Sequence, residues 1–429
     1  YGDAVQGSLI RKLFHNLSPN QPYGFETSVM LTLQNHTALK PKALLEAKAA
    51  ACTADGGAFV FIDAIDPAGM INPATYKTMG EVFKTTRAYE PHIGGELLQD
   101  VAVFLSTESK FDFAQNGKDA EDYSAEGMPH IDALVGACRA LRAHHIPYGV
   151  ITKKDLAKLS RHKVMILPNV LMMDGDEVAA IRAWVLAGGA LYASRDTSLV
   201  DKTGVRHADF QLSDVFGAST SGVTPERVTY MAPAAKDIFA PYTTESPLML
   251  STTQRVITAA ESAEVLAKLT RPYSNPDDPE KFSSIHSNPP GVATENPSVL
   301  YVRVGEGSVI YSADAIESQE YCAQIFVRLL RKLRSTFAVE ADAPACVEFS
   351  TFHQPDRKRY TISAVNFQKE LPNVPVEGVR IRYDLGGQTF AQATLLPGGE
   401  PLEASVKDGR VAITLPRIET LCMIAIEYA

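Results

Sequence analysis

"GGAFVFIDAIDPAGMINPATYKTMGEVF", residues 56–83, holds the pattern on which the fold turns. Gly56 and Gly57 close an alanine-rich stretch, Ala58 to Ile62 are a short continuous apolar run, and Asp63 and Asp66 follow directly. An apolar run of this length between turn residues reads as a buried strand, and the Asn72-Pro73 pair beyond it opens a helix. In α/β proteins chemistry is placed at the C-terminal ends of strands, so both aspartates are candidate site residues.

The neighbouring sequence extends the pattern. Upstream, "FETSVMLTL" predicts a strand and "KPKALLEAKAAACTA" a helix with Pro41 near its first turn; downstream, "NPATYKTMGEVFKTTRAYE" predicts a second helix. Two strand–helix cycles amount to the last quarter of a (β/α)8 barrel. The chain opens on "YGDAVQGSLIRKLF", already amphipathic, and the front of the barrel is expected before Tyr1.

From Leu97 to about Arg334 the alternation resumes. "VAVFLS", "YGVIT", "KVMILPN" and "GALYAS" read as strands, and "HIDALVGACRALRAHH" and "DGDEVAAIRAWVLAG" as helices, the order of a doubly wound parallel sheet. "SVLYVRVGEGSVIYSAD" predicts a hairpin turned at Gly305-Glu306-Gly307, "SQEYCAQIFVRLLRKLR" a closing helix, and Arg271 to Pro297 a long loop. After Thr336, alternating stretches such as "RYTISAVNF" and "VRIRYDL" predict a small antiparallel β-sandwich of structural purpose. The expected domains are therefore 1–95, 96–335 and 336–429.

Composition narrows the function. With 41 basic and 50 acidic residues the net charge is −9, and no basic stripe interleaved with aromatics marks a nucleic-acid surface. No apolar run reaches the roughly 18 residues of a membrane span, and "VMILPNVLMM" is interrupted by Pro168 and Asn169, so no span is expected. Five scattered cysteines without ligand spacing predict free buried thiols in a reducing compartment, the cytoplasm. His144-His145 and His207/Asp209 lack complementary ligands, and neither a metal nor a cofactor is expected.

The stretch from His145 to Gly217, with its "LPN" elbow, its "GG" before a strand and its "R-x-x-DF-x-L-x-D-x-FG" tail, resembles the trimerisation domain of glycoside hydrolase family 42 β-galactosidases. That resemblance implies a flavodoxin-like, class I glutamine-amidotransferase-like fold. Amide attack near neutral pH needs an activated thiol at the elbow; "ILPNVLM" offers Asn169, so a scaffold or oligomerisation role is expected in place of glutaminase chemistry. The first segment, through "FETSVMLTLQNHTALKP", "GGAFVFIDAIDPAGMI" and "MGEVF", resembles the end of an α-L-fucosidase barrel. It departs from that pattern at Phe25 (usually tryptophan), at Leu33-Gln34-Asn35-His36 and at Asp63 (usually asparagine). The combination resembles the α-L-fucosidases of glycoside hydrolase family 151. It implies a retaining glycosidase acting on a small saccharide, assembled as a homo-oligomer, dimer or trimer.

Retaining glycosidases need two carboxyl groups about 5–5.5 Å apart. The resemblance puts the nucleophile on a middle barrel strand, outside this chain. Glu26 in the "FET" strand is the catalytic candidate, with a buried ion pair as the competing reading. His36, Asp63 and Asp66 are substrate-binding candidates; Asp66, before Pro67, also fits a turn, and His36 an exposed loop. The only tryptophan, Trp184, falls in a predicted core helix, so an aromatic sugar platform is expected outside the chain. A β-galactosidase and a non-catalytic oligomerisation protein are the alternatives.

Overall fold

A computed structural model describes residues 3–32, 35, 37–64, 67–110, 127–274, 279–284 and 287–429. The chain forms two compact units, one of Tyr1–Asp100, Leu141–Val150 and Thr336–Ala429, the other of Val101–Ala140 and Ile151–Ser335.

The first unit begins with helix α1 (Ala4–Leu17), capped by Asp3, whose carboxylate accepts from the Gln6 N–H. Strand β1 (Gly24–Ser28), helix α2 (Lys42–Ala54), strand β2 (Ala58–Ile62) and helix α3 (Pro73–Thr86) follow. As the Asn72-Pro73 pair predicts, Asn72 caps α3 by accepting from the Ala74 N–H. β1 and β2 pair in parallel, with Phe25 opposite Phe59 and Glu26 opposite Val60. β1 is shorter than "FETSVMLTL" suggests, because the Ser28 hydroxyl accepts from the Met30 N–H and Met30 then bridges back to Leu39. One face of the pair buries Phe25 and Thr27; Phe59 and Phe61 help close a core of Val29, Met30, Leu45, Ala49, Met79 and Val82.

The same unit holds two antiparallel sheets. One orders its strands Val339–Asp342, Arg380–Asp384, Arg410–Thr414, Ala404–Lys407; the other Glu400–Pro401, Phe390–Leu396, Leu421–Tyr428, Arg359–Asn366, Val347–Gln354, Glu96–Leu97. They share a core in which Ile381, Tyr383 and Ile413 meet Ile362, Ile424 and Ile426. The N-terminal segment is built into this sandwich: Leu97 pairs with Phe352, and the small faces Ala47, Ala51 and Ala54 of α2 pack with Val365 and Phe367. Residues from both ends of the chain therefore make one body, where the sequence suggested separate first and third domains.

A buried ion cluster ties that body together. Arg11 Nε lies 2.6 Å from Asp55, Lys12 Nζ 3.0 Å from Asp55 and 2.8 Å from Glu348, and Arg142 Nε 3.1 Å from Glu348. Ser350 donates to Asp55 at 2.5 Å and Ser8 to Glu348, satisfying further lone pairs.

In the second unit the strand order is Leu248–Leu250, Thr229–Pro233, Glu264–Pro272, Pro290–Val304, Gly307–Ser312, Ala190–Ser194, Val164–Leu167, Val101–Phe104. The last four run parallel, each buried along almost its whole length, and the first four pair antiparallel. The sheet is mixed: beside the parallel strands, the hairpin expected at Gly305-Glu306-Gly307 pairs Pro290–Val304 antiparallel with Gly307–Ser312, and the antiparallel strands beyond it were not expected. Helix Gly175–Leu186 is held by a capping box in which Asp174 and Glu177 bond each other's backbone N–H. Strands Glu264–Pro272 and Pro290–Val304 extend into the expected loop, with Arg271 opposite Val292 and Pro272 opposite Pro290. Its apolar-poor composition concealed a ladder held by backbone bonds.

Candidate functional site

Alternation along β1 and β2 sorts their residues onto two faces. Opposite the helices, Gly24, Glu26, Ala58, Val60 and Ile62 are exposed and Ser28 half-buried. Glu26 is the carboxylate of this face; it makes no hydrogen bond or ion pair among the described residues, so the competing reading of a buried ion pair is not what the structure holds.

Asp63 stands just past β2, where its carboxylate accepts from the Ala64 N–H at 2.9 Å. It borders an open groove of ≈ 730 Å³ along β2 and α3, with Phe59, Phe61, Tyr76, Met79 and Phe83 among the lining residues. Phe59, Phe61 and Phe83 meet edge to face with centroids 5.0–6.4 Å apart. Val60 is level with Glu26, so Asp63 is three residues further along, roughly 10 Å at 3.3 Å per residue. The backbone does not bring the two acids to the spacing of a retaining pair. His36 and Asp66 lie outside the described residues. Asn35 shapes its own turn, its amide oxygen accepting from the Thr37 and Ala38 N–H groups.

Two lysines near this end of β1 had gone unnoticed in the sequence. Lys40 Nζ donates to the Ser28 carbonyl at 2.5 Å, and burial lowers its pKa. Lys48 is buried on α2; burial, then repulsion from Lys40 and Arg11, brings its ammonium down to about 8. The available signal was a lysine inside "LLEAKAAACTA", a run whose other residues suit a buried helix face.

At the elbow of the second unit Asn169 takes a left-handed conformation (φ 49°) and is 3% exposed. Its N–H donates to Ser194 Oγ at 2.9 Å and its side-chain oxygen accepts from the Asp196 N–H at 3.0 Å. This side chain braces the turn and carries no nucleophile. Nearby, Glu317 is fully buried, accepting from Tyr192 at 2.7 Å and Ser194 at 2.5 Å. Burial pushes its carboxyl up to about 7 against those two bonds. His130 is buried beside the same elbow, donating from Nδ1 to the Pro168 carbonyl and accepting at Nε2 from the Ser106 N–H; burial brings it down to about 4 and keeps it neutral.

Among the described residues no group of three or more His, Cys, Asp or Glu side chains could hold a metal ion. None of their helices is long and apolar enough to cross a membrane. The five cysteines are free, and all but the half-buried Cys346 are buried.

Comparison with curated proteins gives no match. Among solved structures, an α-L-fucosidase, isoenzyme 2 from Paenibacillus thiaminolyticus, superposes with a TM-score of 0.77 at 20% identity, over 94% of this chain and 60% of that one. A catalytic mutant of a GH42 β-galactosidase from G. stearothermophilus gives 0.69 at 15% identity, covering 99% and 57%. A β-galactosidase from Bacillus circulans sp. alkalophilus gives 0.68 at 16%, covering 99% and 59%. The fold is glycoside-hydrolase-like, and the chain spans less than two thirds of the length of each of these neighbours. The β-galactosidase trimerisation domain model matches residues 99–335, more than half of the sequence. The chain belongs to the β-galactosidase trimerisation domain family.

Proposed function

We propose that the chain is the C-terminal portion of a retaining α-L-fucosidase, in which β1 and β2 are the last two strands of a (β/α)8 barrel and the matched domain mediates oligomerisation. The observation that carries this reading is Glu26, a carboxylate without a partner among the described residues, on the exposed face of a two-stranded parallel sheet. Parallel strands are ordinarily covered on both faces and flanked by further strands. Here both outer edges are unpaired among the described residues, and Val60 and Ile62 stand exposed beside Glu26. Further parallel strands would cover those edges and turn this face into a barrel interior, with Glu26 directed at a sugar.

Glu26 then serves as an acid/base or hydroxyl-binding group, Asp63 and Asp66 line the pocket wall, and His36 donates to a sugar hydroxyl. The nucleophile is supplied by strands outside the 429 residues. A β-galactosidase is the second reading, favoured by the matched domain and by the two β-galactosidase neighbours.

The test is hydrolysis of nitrophenyl α-L-fucoside and nitrophenyl β-D-galactoside by the 429-residue chain and by a polypeptide carrying the rest of the barrel. The chain alone is expected to be inert and the longer polypeptide to prefer the fucoside. Nitrophenol release by the 429 residues alone would overturn the placement of the nucleophile, and a preference for the galactoside would overturn the fucosidase assignment.

A further inference from the structure

In the first unit, two polar side-chain atoms are buried without a hydrogen-bond partner on residues that Gln354 links, one through its side chain and the other through its backbone carbonyl: Arg359 Nη2 and His92 Nδ1. Arg359 Nε donates to Gln354 Oε1 at 2.8 Å, while Gln354 Nε2 donates to the carbonyls of His92 (2.9 Å) and Gly94 (2.7 Å). Arg357 reaches the same turn from the solvent side, Nη1 donating to the Pro91 carbonyl at 2.7 Å. Two guanidinium groups and one imidazole thus belong to three neighbouring pieces of chain: His92 ends Arg87–His92, Arg357 ends the Pro355–Arg357 turn and Arg359 opens the strand Arg359–Asn366.

These groups oppose one another. Burial first, then Arg359 and Arg357, drive His92 toward its neutral form; burial and Arg357 disfavour the charge of Arg359. Glu427, opposite Arg359 in the neighbouring strand, is the group acting the other way on Arg359, and one of its oxygens already accepts from Gln392 at 2.7 Å. An unmade bond at a buried donor is costly, and such a group in a native protein calls for an ion or water that completes it. Arginine forks match an oxyanion's geometry.

We propose that Arg357, Arg359 and His92 form a binding site for a small tetrahedral oxyanion, phosphate or sulfate. Donors arrive from three side chains, His92, Arg357 and Arg359, enough to engage three oxygens of a tetrahedral anion at once. The anion sits over the exposed Arg357, draws the Arg359 fork toward it, and is joined by His92, which takes up a proton from solvent. Binding therefore tightens as pH falls through the His92 titration.

The experiment is calorimetric titration of the 429-residue chain with inorganic phosphate, sulfate and acetate at matched ionic strength. The His92 ring resonances are followed across pH with and without phosphate. Expected are 1:1 binding of phosphate and sulfate, acetate weaker by about tenfold, and a His92 pKa raised by about one unit when phosphate is bound. Arg357→Ala removes one charge-assisted donor from an exposed position and is expected to weaken phosphate by about tenfold with an unchanged circular dichroism spectrum. Three results would overturn the site: phosphate acting no differently from chloride, acetate binding as tightly as phosphate, or Arg357→Ala binding phosphate like the parent.

Discussion

Single residues in this protein show how burial and partners set charge. Burial alone would raise the Glu348 carboxyl; Lys12, Arg142 and Arg11 overcome it and hold the group well below the usual carboxylate range. A depressed carboxylate contributes stability that is complete above the unfolded-state pKa near 4.3 and is lost as pH falls toward the folded value. Removing this partner leaves the buried Arg142 without its carboxylate and Arg11 and Lys12 sharing Asp55 alone, so Glu348→Ala is expected to cost about 3–5 kcal/mol in urea unfolding at pH 7. Glu317 has the opposite sign. Its folded pKa of about 7 lies above the unfolded value, so its contribution is present at acid pH and lost as pH rises toward and through 7. Glu317→Gln is expected to be more stable than the parent by up to about 3 kcal/mol at pH 8 and close to it at pH 5. Equal stability changes at both pH values would contradict a carboxyl that titrates near neutrality.

At the scale of elements, close approach decides more than propensity. Helix Pro129–Ala143 passes the turn at Glu317 so tightly that a Cβ on Gly136 would come within 2.0 Å of the Glu317 carbonyl oxygen. Gly136→Ala is therefore expected to destabilise by about 2 kcal/mol or more despite the better helix propensity of alanine, measured as a lower urea midpoint. Nothing in "DALVGACRAL" marks that glycine, because its neighbour is nearly 200 residues away in the chain. The α2 alanines are a contrasting case. Their density was plain in the sequence as a buried helix, but that they face Val365 and Phe367 was not. β1 and β2 were legible from apolar runs and flanking glycines; that Glu26, Val60 and Ile62 stand on an exposed face was not, since the apolar run reads as a buried strand. Asp63 was legible as a strand-end acid; its separation from Glu26 followed only from the register of the two strands.

For the molecule as a whole, membership of the trimerisation domain family makes assembly the property to measure. Sedimentation of the 429-residue chain is expected to give a discrete oligomer, dimer or trimer, and a strictly monomeric protein at micromolar concentration would overturn the assembly role. The sequence by itself determined the alternation of strands and helices, the switch to antiparallel pattern after Thr336, and the lack of a thiol at the elbow. These are local properties, written in periodicity, turn residues and the identity of one side chain. Only the tertiary structure decided that the N-terminal segment and the C-terminal sandwich are one body, that the central sheet is mixed, and that Arg11, Lys12 and Arg142 pair with Asp55 and Glu348. Each of these joins residues far apart in the chain, and the free energy that selects them comes from burial and pairing that exist only once the distant segments meet.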